Sequence, residues 1–101
     1  MSTRVIDNPD EGRYEIFADD ELVGFAAYQK TRQLVVLTHT EVDRRLEGRG
    51  LGGELVRGAL EDVRRQGMAV LPLCPFVQGW INRHPEYHDL DYRQPASDVA
   101  D

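Results

Sequence analysis

Apolar positions along this chain change their period twice. From Arg13 to Ala18 they alternate, with Tyr14, Ile16 and Ala18 set against Arg13, Glu15 and Phe17, the two-residue repeat of a half-buried strand. Asp19-Asp20 supplies a tight turn, and Glu21 to Lys30 reads as a second strand whose Gly24, Ala26 and Ala27 leave room for close packing, so the two are expected to pair as a hairpin. Gln33 to Val42 is a third strand. Its run Leu34-Val35-Val36-Leu37 is apolar on both faces, which places it in the sheet centre, whereas its far end, Thr38-His39-Thr40-Glu41, is polar. From Leu51 the period lengthens. Leu51, Leu55, Val56, Ala59, Leu60 and Val63 fall on one half of a helix at about 100° per residue, with Glu54, Arg57, Glu61, Arg64 and Arg65 on the other half. Gly67 stops that helix, and Met68 to Leu73 return to a short strand, parallel to the third because a helix separates them. Pro75 suits the first turn of a last helix carrying Val77, Trp80, Ile81 and His84 in register, and Pro85 ends it.

The order β-β-β-α-β-α describes an α/β fold: an antiparallel meander leading into one βαβ crossover and a C-terminal helix. With 101 residues the chain makes one domain. Met1 to Gly12 is polar, with a turn at Asn8-Pro9-Asp10, and the segment from Asp89 is acidic. The folded core is therefore expected over about 13–90, with 1–12 and 91–101 as flexible ends. No apolar run approaches the roughly 18 residues of a membrane span, and Met1-Ser2-Thr3-Arg4 opens no signal peptide, so a cytoplasmic protein is expected. The net charge of −6 argues against nucleic acid or an anionic membrane as partner, because both are bound by clustered cations. The acidic excess at Asp7 to Glu11 and Asp19 to Glu21 reads either as ordinary solubility or as a rim suited to a cationic amine. One cysteine, Cys74, excludes an internal disulfide and a cysteine-rich metal site.

Against that acidic background, Arg44, Arg45 and Arg49 surround Gly48-Arg49-Gly50-Leu51-Gly52-Gly53, which joins the third strand to the helix. Glycines let backbone N–H groups face inward, and the helix start adds unpaired donors, so the segment reads as a phosphate cradle. A P-loop would need Lys followed by Ser or Thr, but the chain's only lysine is Lys30. A dinucleotide fold would place these glycines after the first strand of a parallel sheet, whereas here three antiparallel strands come first. Arg45-Leu46-Glu47-Gly48-Arg49-Gly50, in this position, resembles the acyl-CoA pyrophosphate loop of the GNAT acyltransferase superfamily: Gln or Arg, two residues, Gly, one residue, then Gly or Ala. Cys74-Pro75-Phe76-Val77, Trp80-Ile81, His84-Pro85-Glu86-Tyr87 and Thr38-His39-Thr40-Glu41-Val42 add similarity to its minimal, single-domain YjdJ-like branch, from roughly Tyr14 to Leu90.

The resemblance implies a minimal GNAT-like core, acetyl-CoA as co-substrate, no metal, and an N-acetyltransferase acting on a primary amine, whether protein lysine, polyamine or metabolite. It implies that the third strand and Met68 to Leu73 splay apart, with the pantetheine arm of CoA along Thr40 to Val42. The pyrophosphate would then lie on the loop, so that Thr40, Val42, Arg44, Arg45, Glu47, Gly48, Arg49, Gly50, Leu51, Gly52 and Gly53 hold the cofactor and Arg83 reaches an adenosine phosphate. His39 and Cys74 are the catalytic residues it suggests, both projecting toward the thioester. Read alone, His39 is a general base or a strand histidine satisfied beside Thr38 and Thr40. Cys74 is an acetyl-accepting or cofactor-contacting thiol at a helix start, or a small buried residue. Two other readings stay open: a CoA-binding module without catalysis, and a glycine turn that serves packing alone. A zinc site at His84 and His88 is disfavoured by Pro85 between them, and the only serines, Ser2 and Ser97, lie outside the expected core. Monomer and homodimer are both compatible with the sequence.

Overall fold

The structure, a computed structural model, describes residues 1–93. Its elements are strands β1 (Thr3–Asn8), β2 (Arg13–Ala18), β3 (Glu21–Lys30) and β4 (Leu34–Val42), a 3-10 turn (Arg44–Leu46), helix α1 (Leu51–Arg65), strand β5 (Ala69–Pro72), helix α2 (Pro75–Asn82) and a second 3-10 segment (Pro85–Leu90). One sheet has the order β1-β2-β3-β4-β5, antiparallel through β4 and parallel between β4 and β5.

Local chemistry explains most boundaries. Asp19 and Asp20 both adopt positive φ, 49° and 71°, the backbone of a two-residue type I′ hairpin. At the end of α1, Gly67 takes φ +70° and donates to Arg64 O, while Met68 N donates to Val63 O, so two orphan carbonyls are satisfied in a Schellman motif. The apolar stripe of α1 is buried against Tyr14, Ile16, Val35 and Leu37 of the sheet. Tyr14 also donates to Asp62 of α1 at 2.8 Å. Burial and that carboxylate raise its phenol far above the ordinary value, which keeps it neutral in the core. The opposite face of the sheet is more open. There the rings of Phe17 and Phe25 are half-buried beneath the guanidinium groups of Arg4 and Arg13, at 4.6 and 4.7 Å.

Two expectations about the ends are corrected. Residues 3–8 are no flexible end: they form the edge strand β1, paired from Thr3↔Ala18 to Asn8↔Arg13, and Val5 sits against Gly58 of α1. A Cβ on Gly58 would come within 2.7 Å of Val5 Cβ, so the helix glycine is what lets β1 dock. Beyond Leu90, Asp91 is 4% exposed, bridges to Val70 of β5 and holds Arg93. Residues 94–101 of the expected tail lie outside the described residues. No helix among the described residues is long and apolar enough to cross a membrane.

Candidate active site

The site begins where β4 and β5 part. Their parallel pairing runs from Leu34↔Ala69 to Leu37↔Pro72 and stops. Leu73 N and Cys74 N then both donate to Leu37 O, at 2.9 and 3.2 Å, and Pro75 starts α2. Proline has no N–H to extend a ladder and fits a helix's first turn, so Pro72 and Pro75 end one element and start the next. From Thr38 to Val42, β4 keeps β3 along one edge and has no β5 partner along the other.

Past β4, Asp43 caps the 3-10 turn, accepting from Arg45 N at 2.9 Å and gripping the Arg45 side chain, which also reaches Glu21 at 3.1 Å. The Arg45 hydrogen bonds hold the Asp43 carboxyl below its usual range. Arg45, expected at the phosphates, is therefore engaged elsewhere in both backbone and side chain. Leu46 N and Glu47 N are likewise used within the turn, donating to Asp43 O and Arg44 O. From Gly48 to Gly53 the situation reverses: among the described residues no acceptor bonds any of these backbone N–H groups, and Gly50, the N-cap of α1, provides no side-chain cap. Gly48 and Gly50 adopt φ +86° and +75°, and a Cβ on either would meet nothing within 4 Å. Conformation rather than crowding requires glycine there, and the space before the loop is open. Arg44 and Arg49 make no ion pair among the described residues, which leaves their charge to the loop.

A cavity of about 390 Å³ lies between this loop and the free part of β4. Every residue the sequence suggests for the cofactor lines it except Arg45, Arg49 and Arg83. Arg83 sits at the C-cap of α2, with its guanidinium beside Gly79. Leu46, inside the expected loop, lines it as well, and Asp43 and Phe76 line it without having been anticipated. Phe76 had a signal: a Cβ on Gly52 would come 2.8 Å from its ring, so that glycine makes room for the aromatic wall.

His39 and Cys74 do not project into one gap, which corrects the sequence expectation. Tyr28 pairs with Leu37 and Ala27 with His39, so Thr38 is an extra, bulged residue. Beyond it Thr40 pairs with buried Ala26 on the α1 side, and His39 falls on the open face. There His39 Nε2 lies 2.8 Å from Glu41 Oε2, and its ring centroid is 6.1 Å from that of Phe25. A second cleft, about 800 Å³, runs over this face past Arg13, Phe25, His39 and Glu41. It shares Thr40, Val42, Asp43 and Arg44 with the first cavity, so the two meet across the unpaired stretch of β4. Glu41 went unremarked as a partner, although residues two apart on a strand share a face.

Cys74 is the N-cap residue of α2, 7% exposed, with Sγ 3.6 Å from Thr40 Oγ1. Burial pushes its thiol up. The Thr40 hydroxyl and the N–H groups of Val77, Phe76 and Thr40 pull it down further, and the net value lies below that of an ordinary thiol. The pH at which Cys74 alkylation by iodoacetamide reaches half its maximal rate is accordingly expected to lie below that of a free cysteine measured alongside. Thr40→Val should move that midpoint up. A wild-type profile matching free cysteine would refute the depressed value.

Comparison with known proteins agrees with this geometry. A family model described as GCN5-related N-acetyl-transferase matches residues 13–90. Protein NATD1 of Gallus gallus is 30% identical over 64 residues, which span 63% of this chain and 58% of that protein, less than two thirds of its length. The solution structure of a GCN5-like protein from Staphylococcus aureus superposes with a TM-score of 0.70 at 17% identity, covering 97% of this chain and 96% of that one. The ribosomal-protein-S18-alanine N-acetyltransferase of Escherichia coli gives a TM-score of 0.61 at 16% identity over 70% of this chain and 49% of its own. At such identities the structural likenesses speak for the fold, while the family model spans most of the chain; the protein belongs to the GCN5-related N-acetyltransferase (GNAT) family.

Proposed function

We propose that the protein transfers an acetyl group from acetyl-CoA to a primary amine. The observation that carries this reading is the run of unbonded N–H groups from Gly48 to Gly53, open to space and continuous with the free stretch of β4. That shape fits CoA: diphosphate needs convergent donors at a helix start, and an amide-bearing arm needs a strand edge. Gly48 to Gly53 would hold the pyrophosphate, with Arg44 and Arg49 adding charge. Thr40 to Val42 would hold the arm between the apolar walls of Leu46, Leu51 and Phe76.

Acetyl-CoA supplies an activated acyl group as a thioester. The chain divides the proton work between two faces of β4. On the open face the second cleft admits the amine, and His39, oriented by Glu41, accepts its proton. On the helix side the Cys74 thiol, beside Thr40 of the cavity lining, gives a proton to the departing CoA thiolate. This separation favours direct transfer to the amine over an acetyl-cysteine, because the cysteine lies across the strand from the acceptor cleft.

Calorimetry with CoA tests the binding half of the reading; saturable one-to-one binding is expected, and its absence would end the CoA assignment. Thiol release from acetyl-CoA against a panel of alkyl amines, amino acids and lysine peptides tests the catalytic half. Binding without amine-dependent release would identify a CoA-binding module instead.

A further inference from the structure

Trp80 is the chain's only tryptophan and is 5% exposed. Its indole is held by three neighbours: His84 stacks on it at 3.7 Å and 11°, Tyr87 lies tilted at 5.4 Å, and the Arg57 guanidinium sits over the ring at 5.2 Å. Its polar edge is turned to the first turn of α1. Nε1 lies 3.1 Å from where a Cβ on Gly53 would stand, and Cδ1 lies 3.7 Å from that point. Among the described residues no acceptor bonds this N–H. A buried N–H without an acceptor is costly, and native structures rarely leave one.

The first turn of α1 gives this N–H no hydrogen bond among the described residues. Its own backbone N–H groups are unbonded donors, the carbonyl of Gly50 is taken by Glu54 N, and Glu54 Oε1 is taken by the Thr3 hydroxyl. Trp80 lies outside the lining of the loop cavity but faces Gly53, which is part of that lining, so the loop amides and one rigidly held indole lie at the same end of α1. A group rich in acceptors would satisfy both.

We propose that the Trp80 indole N–H donates to a phosphate oxygen of the ligand bound at the N-terminus of α1, which makes Trp80 part of the pyrophosphate site. The inference rests on the CoA reading above and adds a residue from α2 to a site otherwise built by the loop. It also gives Gly53 a purpose: without a Cβ, the indole nitrogen can approach the loop's donors.

The test follows the single indole Nε1–H resonance in ¹H–¹⁵N correlation spectra as the full chain is titrated with CoA. A downfield movement is expected, saturating together with the amides of Gly48 to Gly53, along with slowed exchange of the indole proton. By calorimetry, Trp80→Phe, which keeps the aromatic packing and loses the N–H, should raise the CoA dissociation constant about tenfold. Loop amides that move while the indole stays still, with Trp80→Phe binding like wild type, would overturn the inference and leave the CoA reading intact. Spectra in which neither moves would end both. Should the variant fail to fold, the wild-type titration still decides.

Discussion

Replacing His39 with alanine is expected to lower kcat/KM for amine acetylation about 10²- to 10³-fold and to leave CoA affinity unchanged. The split follows from position. His39 lies on the open face of β4, among the residues of the second cleft and outside the lining of the loop cavity, so its loss should touch the acceptor's proton and not the cofactor. Glu41→Gln should cost less, about tenfold, because glutamine keeps a hydrogen-bonding contact that orients the ring and loses only the carboxylate. The measurement is steady-state thiol release, with calorimetry on the same samples. Wild-type turnover in His39→Ala would remove the histidine from the reaction, and weakened CoA binding in that variant would place it on the wrong side of the strand.

The largest expected effect on stability is that of Leu55→Ala. Leu55 is fully buried, one turn inside α1 and two residues past Gly53. Truncation should cost about 2–5 kcal/mol, the transfer term plus the cavity it leaves. A domain of this size holds only about 5–15 kcal/mol in total, and the thermal midpoint should fall by roughly 10–30 °C. Urea unfolding with an unchanged m-value would show that the native state lost stability and not compactness. A loss under about 1 kcal/mol would mean that the α1 stripe is not the centre of the core.

Strands β2 to β5 and both helices were legible because their apolar residues repeat at one period over several residues. β1 was not. Its inward positions are Thr3, Val5 and Asp7, only one of them apolar, and the matching signal, Gly58, sits far along the chain on α1. The glycine loop was legible as the turn into α1 because positive-φ glycines at a helix start are local chemistry. Two parts of the site were not local. Arg45 is drawn away partly by Glu21, a residue of another strand. The faces of β4 depend on the bulge at Thr38, since one extra residue reverses the parity of everything beyond it. Without the bulge, His39 would share the inner face with Val35 and Leu37, on the side of Cys74; with it, Thr40 takes that face and His39 turns to the open one.

The sheet order β1-β2-β3-β4-β5 has a consequence for how the molecule assembles. The first three strands each pair with the next through a short connection, so they close by small loops. The seam between β4 and β5 must wait for the chain to travel out along α1 and return, which gives it the longest closure in the sheet and the slowest contact to form. The loop cavity opens where that seam ends. A ligand gripping both β4 and the start of α1 would fix the near end of that crossover and so slow its unfolding.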